Sequence, residues 1–282
     1  MSQQANEKKY VILENETLNY KGRTLYRIQA IKDFGYITKG SKGGWIEKED
    51  NLSQKGECWV HNEAKVYDNA CIMDNANVFN KARVYDNAKI FDNAQLYGYA
   101  VVCENAQVYN TAKVFEHSRV SGKAQIFNHA QVLGNSQVYD NPKIMGFSEI
   151  KGNAEVFGCV EIDSFVSVYD DAEISGDAKV LESARVYGNA KISGSAKVYG
   201  HTEVFGYAEI CGDAEISSFN DYMVFKNDYN FGSYFTYTKS NRKWKECSFY
   251  GSGKELIEHI DPIYSVQKEM YKKYVSFAES FE

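Results

Sequence analysis

The sequence predicts an all-β fold: a parallel β-helix of about nine triangular coils, an N-terminal β-hairpin cap and a small C-terminal α+β module. Three observations predict it. From Val60 to Ile216 every sixth residue is Val, Ile or Leu, at 27 positions without exception. Four residues after each, the side chain is nearly always small, from Ala64 and Ala70 to Ala214; Ser118, Ser136, Ser148, Thr202, Pro142, Val160 and Val166 depart from Ala. The composition agrees: 22 Tyr and 16 Phe against 2 Pro, and aromatic and β-branched residues favour strands.

The repeat unit explains itself. In Ala64-Lys65-Val66-Tyr67-Asp68-Asn69 the Ala and Val point one way and the Lys and Tyr the other, as strand alternation requires. The Asp-Asn or Gly-Asn pair that follows turns a corner, where Asn, Asp and Gly best tolerate left-handed backbone angles. Three units close a coil of 18 residues, and at about 4.8 Å per coil nine coils make a prism roughly 40 Å long. Only the two ends of such a stack expose unpaired strand edges and need caps.

Residues 1–57 break the register and are assigned to the N-terminal cap. Tyr10–Leu13 and Leu25–Ile28 flank Lys21-Gly22, which reads as a hairpin. Trp45, in the segment Gly43-Gly44-Trp45-Ile46, is expected to plug the open end of the prism. Residues 58–218 carry the repeat and 219–282 the C-terminal module. There Met223–Phe225, Tyr234–Tyr237 and Trp244–Phe249 read as strands. Ser252 and Glu255 have capping-box spacing before an apolar pair. A last helix is expected from Pro262 to about Phe281, where Val266, Met270, Tyr274 and Phe277 recur every three or four residues.

This pattern resembles the hexapeptide-repeat superfamily of left-handed β-helices, and the entry segment from Gly43 to Ser53 resembles the YdcK-like bacterial and phage proteins. That family is commonly labelled as transferases on the strength of the repeat alone. The resemblance implies a left-handed coil. It also raises acyl-CoA-dependent acyl transfer, which in the superfamily uses a catalytic His beside a loop that leaves the helix or at a cleft between subunits. The tail resembles segments appended to similar repeats in phage and prophage proteins.

The chemistry such an enzyme needs is hard to find. The register has no insertion, so no loop leaves the prism. The chain has 5 His: His61, His117, His129, His201 and, in the tail, His259. A general base needs a positioning partner and a pocket. His117, at a corner beside Glu116, is the one catalytic candidate under the acyltransferase alternative. No metal site is expected, because His129 and His201 share a corner but are 72 residues, or four coils, apart. No cofactor motif occurs. The six cysteines, Cys58, Cys71, Cys103, Cys159, Cys211 and Cys247, have no metal-finger or CxxC spacing and read as free thiols of a reducing cytosol. The polar N-terminus shows no signal peptide, and no apolar run is long enough to span a membrane. A net charge of -6 with interspersed signs gives no basic footprint for nucleic acid.

What remains is the outer surface. Counting by 18 stacks residues into columns. One holds Phe79, Tyr97, Phe115, Tyr169, Tyr187 and Phe205; another Phe91, Tyr109, Phe127 and Tyr199; a third Tyr67, Tyr85 and Tyr139. One corner repeats the theme as His129, Phe147, Phe165, Ser183, His201 and Phe219. Stacking along a β-ladder accounts for part of this, but aromatics are also the residues enriched at interfaces. Phe79, Phe91, Tyr97, Tyr109, Phe115, Phe127, Phe147, Phe165, Tyr187 and Tyr199 are therefore the candidate interaction surface. The charged outward positions, recurring every six residues in alternating blocks, Lys65 to Arg119, Glu149 to Glu173, Lys179 to Lys197 and Glu203 to Glu215, read as a solvated face. The sequence points to a cytoplasmic, non-enzymatic binding or scaffold protein. Its expected partner is itself or another protein, met through the aromatic faces. In the phage form suggested by the resemblance it would act in the host cytoplasm, binding and interfering with a host protein. The alternative is the acyltransferase with its site at a subunit interface.

Overall fold

A computed structural model describes residues 8–227, 233–260 and 265–281. The protein is a mostly β solenoid of about ten turns, with a small antiparallel sheet and helices at its C-terminus. Two compact units divide the chain, residues 1–151 and 152–282.

In the first unit, Tyr10–Tyr20 and Arg23–Ala30 form the antiparallel hairpin. Its turn residues, Lys21 and Gly22, have φ of 52° and 77°. Strand Lys42–Ile46 is the adaptor: it pairs antiparallel with Arg23–Ala30 and parallel with Lys65–Val66. Leu52 then bridges Ile72 in parallel. Ile46 and Leu52 are six residues apart, so the solenoid pairing starts before the unbroken repeat; two extra residues fall between Leu52 and Val60.

Trp45 does not plug the prism. It pairs with Lys65, an outward position, while Ile46 pairs with Val66. Alternation therefore sends Ile46 inward and Trp45 to the outer surface. There it packs with Leu25 and Tyr67, lies 4.0 Å from the Arg27 guanidinium and donates its Nε1–H to Glu63 at 2.9 Å.

The coils stack in register at 18-residue intervals. Val66, Val84, Val102, Val120 and Val138 pair successively in parallel and are fully buried. Burying each such side chain contributes about 1.5–3 kcal/mol. Ser118 occupies an alanine position by donating its hydroxyl to the carbonyls of Phe115 and Val132, at 2.7 and 3.1 Å.

The corners use their polar residues twice. Asp74, Asp92, Asn110 and Asn128 all have φ between 54° and 57°. The side chain of each of the first three also accepts the backbone N–H of the same corner one coil later, at 3.2, 3.0 and 3.2 Å. Each corner thus ties down the next.

In the second unit the same pairing continues from Glu155–Val156 to Glu215–Ile216. The final coil is covered by the C-terminal module. The N–H groups of Glu209 and Glu215 donate to Thr236 Oγ1 and Ser240 Oγ, both at 2.8 Å, and the Tyr222 hydroxyl donates to the Glu203 carbonyl at 3.0 Å. This satisfies strand-edge groups that a bare end would leave open.

The module is a four-stranded antiparallel meander, Tyr222–Lys226, Tyr234–Thr238, Lys243–Glu246 and Phe249–Gly251. The stretch read as one strand, Trp244–Phe249, is two. Cys247 has φ of 44° and breaks it into a hairpin. Helices Gly253–His259 and Ser265–Glu279 pack on the sheet, burying Phe235, Trp244, Leu256, Tyr271 and Val275. Ser252 accepts the Glu255 N–H at 3.3 Å and gives its own N–H to the Glu255 carboxylate at 2.7 Å, the expected capping box. The expected start of the last helix at Pro262 lies outside the described residues. No described helix is long and apolar enough to cross a membrane.

Candidate interaction surface

Because successive coils repeat by translation, outward rings at equivalent positions lie face to face. In the first unit Phe91, Tyr109 and Phe127 stack at 4.8 and 4.9 Å with interplanar angles of 3° and 2°. Phe79 and Tyr97 stack at 4.8 Å and 6°. Phe115 follows them one coil on and is half-buried. The five stacked rings are half-buried too. Stacking covers their faces and leaves their edges in water, so the prism's core takes up none of them. Burial pushes the Tyr97 and Tyr109 hydroxyls above the ordinary tyrosine pKa, for Tyr109 with help from Asp92.

Two members of the Phe79 column come from outside the sequence reading. His61 stacks on Phe79 at 4.2 Å, and Tyr36, from the loop after the hairpin, stacks on His61 at 5.8 Å. The Tyr36 hydroxyl also donates to Asn77 Oδ1 at 2.9 Å. His61 was recoverable, since it lies 18 residues before Phe79; Tyr36 lies outside the repeat and gave no signal. The third column behaves differently. Tyr67 stacks on Tyr85 at 5.0 Å, and the hairpin's Tyr20 meets Tyr67 edge-on at 5.9 Å, leaving Tyr67 2% exposed. The hairpin therefore takes this column out of the accessible surface at its start.

At the corner, His129 stacks on Phe147 at 4.5 Å, and Phe147 is 56% exposed. In the second unit Tyr187 lies between Tyr169 and Phe205, at 4.9 and 5.4 Å, and donates its hydroxyl to Glu203 at 3.0 Å. Phe165 is exposed and Tyr199 half-buried. The charged outward positions in this unit are paired along the coils on two faces: Lys179 with Glu161 at 2.7 Å and Lys197 with Glu215 at 2.7 Å on one, Lys191 with Glu173 at 3.3 Å on another.

His117, the catalytic candidate of the alternative reading, is exposed and stacks on Tyr99 at 4.8 Å. The neighbouring Glu116 carboxylate accepts the Gly134 N–H at 2.8 Å. That bond aims Glu116 along the corner column, so no Glu–His dyad forms. Among the described residues no three His, Cys, Asp or Glu side chains converge to hold a metal ion.

No family model matches the chain. Over 56 residues the sequence is 39% identical to a protein of Escherichia coli K12 named "Uncharacterized acetyltransferase YdcK". The match spans 20% of this chain and 17% of that relative's length. Taken with the solenoid of short parallel strands, it fits the resemblance to the hexapeptide-repeat superfamily.

Proposed function

We propose that this chain is a non-enzymatic binding protein that associates, with itself or with a protein partner, through the stacked aromatic columns of its solenoid. The observation that carries this reading is the Phe91–Tyr109–Phe127 stack, whose rings lie outside the core and keep exposed edges. Each aromatic fully removed from water contributes about 2–3 kcal/mol before the costs of association. A handful of them on one flat face is enough for a stable interface. In the specific form that the resemblance to phage and prophage proteins raises, a phage product would bind a host protein in the host cytoplasm. Light scattering and pull-down of the wild type and of a Tyr109→Lys, Phe127→Lys double variant test the reading. The wild type is expected to form an oligomer or a complex and the variant to lose it with its fold intact. A strictly monomeric wild type with no partner, or a variant that associates as before, overturns it.

The similarity to a protein named as an acetyltransferase favours a second reading, acyl transfer with a site between subunits. Calorimetry with acetyl-CoA separates the two. Saturable binding that disappears in His117→Ala would sink the binding-protein reading and promote the acyltransferase.

A further inference from the structure

The ring columns are continuous where every coil supplies a ring, and at one corner of the second unit a coil supplies a serine instead. Phe165, Ser183 and His201 follow one another at intervals of 18 residues. The Phe165 N–H bonds to the Glu182 carbonyl at 2.6 Å and the Ser183 N–H to the Gly200 carbonyl at 3.0 Å, so the three occupy equivalent points of successive coils. Phe165 is 62% exposed and His201 is exposed. Two coils separate them, about 9.6 Å at the spacing of paired strands. Stacked rings elsewhere on this solenoid sit 4.5 Å apart at His129–Phe147 and 4.9 Å apart at Tyr169–Tyr187. One further ring therefore fits between Phe165 and His201 at the spacing the molecule already uses.

The space is a cavity of about 510 Å³, lined also by Ser167, Arg185 and Glu203. Arg185 and Glu203 are paired at 3.4 Å, and Glu203 also accepts the Tyr187 hydroxyl. The floor thus offers serine hydroxyls and an ion pair with no net charge. A phosphate-bearing or cationic ligand gains little there. A neutral ring with a hydrogen-bonding edge gains two stacking faces and a polar floor. Tyrosine and tryptophan side chains have that chemistry and are the residues that anchor protein interfaces.

We propose that the slot over Ser183 receives one tyrosine or tryptophan side chain of a protein partner, stacked between Phe165 and His201. This rests on the reading of the chain as a binding protein and gives that partner a defined anchor.

The test is an NMR titration of the full chain with N-acetyl-tryptophanamide, N-acetyl-tyrosinamide and adenosine, reading the imidazole signals of its 5 histidines. The His201 signal is assigned by its loss in His201→Gln. Both amides are expected to shift it saturably, adenosine at least tenfold more weakly. Ser183→Phe fills the slot with the chain's own ring and is expected to weaken amide binding at least tenfold. Should Ser183→Phe fail to fold, Phe165→Ala removes one wall at an exposed corner and is expected to do the same. The Tyr109→Lys, Phe127→Lys variant is expected to keep full amide binding, so loss of association there and loss of the slot are read separately. An unmoved His201 signal, amide binding unchanged by filling the slot or removing its wall, or adenosine binding as tightly as the amides overturns the proposal.

Discussion

Lys9 Nζ lies 3.0 Å from the carbonyl oxygen of Cys58, and the carbonyls of Lys55 and Gly56 stand at 3.1–3.2 Å from the same ammonium. Lys9 is 2% exposed. Burial lowers its pKa, against the opposing influence of the nearby Cys58. Three carbonyls from the segment that enters the first full coil are thus gathered on one side chain from the start of the hairpin. Lys9→Met keeps the stem and removes the donors. It is expected to destabilise the fold by about 1–3 kcal/mol, the cost of leaving buried acceptors unpaired. Chemical denaturation checks this: an unchanged midpoint would mean that the cage is ornamental.

Corner glycines are not equivalent. Gly122 and Gly206 share φ of 68°. A Cβ on Gly122 would stand 2.4 Å from the Asp140 carbonyl oxygen, whereas on Gly206 it would meet nothing within 4 Å. Asn tolerates the left-handed region and occupies it at Asn110 and Asn128. Gly206→Asn is therefore expected to be nearly neutral. Gly122→Asn must push the next coil's corner away and is expected to cost about 1–3 kcal/mol, the usual range for overpacking. Equal shifts in the two melting temperatures would refute the argument from space.

What could be read from the sequence follows from how strictly the coil constrains each position. Val66, Val84 and Val102 face a close-packed interior that accepts only aliphatics, so their period is unbroken and fixes the stacking. Trp45 was misplaced because its inward or outward side depends on parity, and the parity of a strand outside the repeat is set by its neighbour, Lys65. The corner acids were legible as turn formers but not as caps. That role appears only when the Asp92 carboxylate is seen reaching the Asn110 N–H on the next coil. Among candidate surface residues, the columns could be counted out by 18. Whether a column is open could not, because Tyr20 and Tyr36 reach two of them from segments with no repeat.

Alkaline pH is expected to weaken the second unit. Burial pushes Tyr222 and Tyr271 each up to about 12. An unfolded chain loses these phenolic protons near pH 10 while the folded protein keeps them. Between pH 10 and 12 the unfolded state therefore binds fewer protons, and stability falls as pH rises. Tyr271→Phe removes one of the two groups. Its melting temperature is expected to fall less steeply than the wild type's between pH 10 and 11.5. Parallel curves for the two proteins would show that Tyr271 does not couple folding to ionisation.

Salt distinguishes the aromatic columns from the paired charges as the source of association. In the second unit Lys179, Lys191 and Lys197 are each satisfied by a glutamate one coil away. Such exposed pairs contribute little to stability and weaken with salt. A partner that displaced them would have to replace what it broke, so these paired charges offer little net attraction. The rings around Tyr109 have no charge to screen, and excluded salts such as sulfate strengthen apolar burial. Association of the wild type, followed by light scattering, is therefore expected to persist from 50 mM to 500 mM sodium chloride and to tighten in sodium sulfate. Lys191→Ala is expected to leave it unchanged, while Tyr109→Lys abolishes it. Complexes that dissolve between 50 and 500 mM sodium chloride, or that fail in Lys191→Ala while surviving Tyr109→Lys, would place the interface on the paired charges instead.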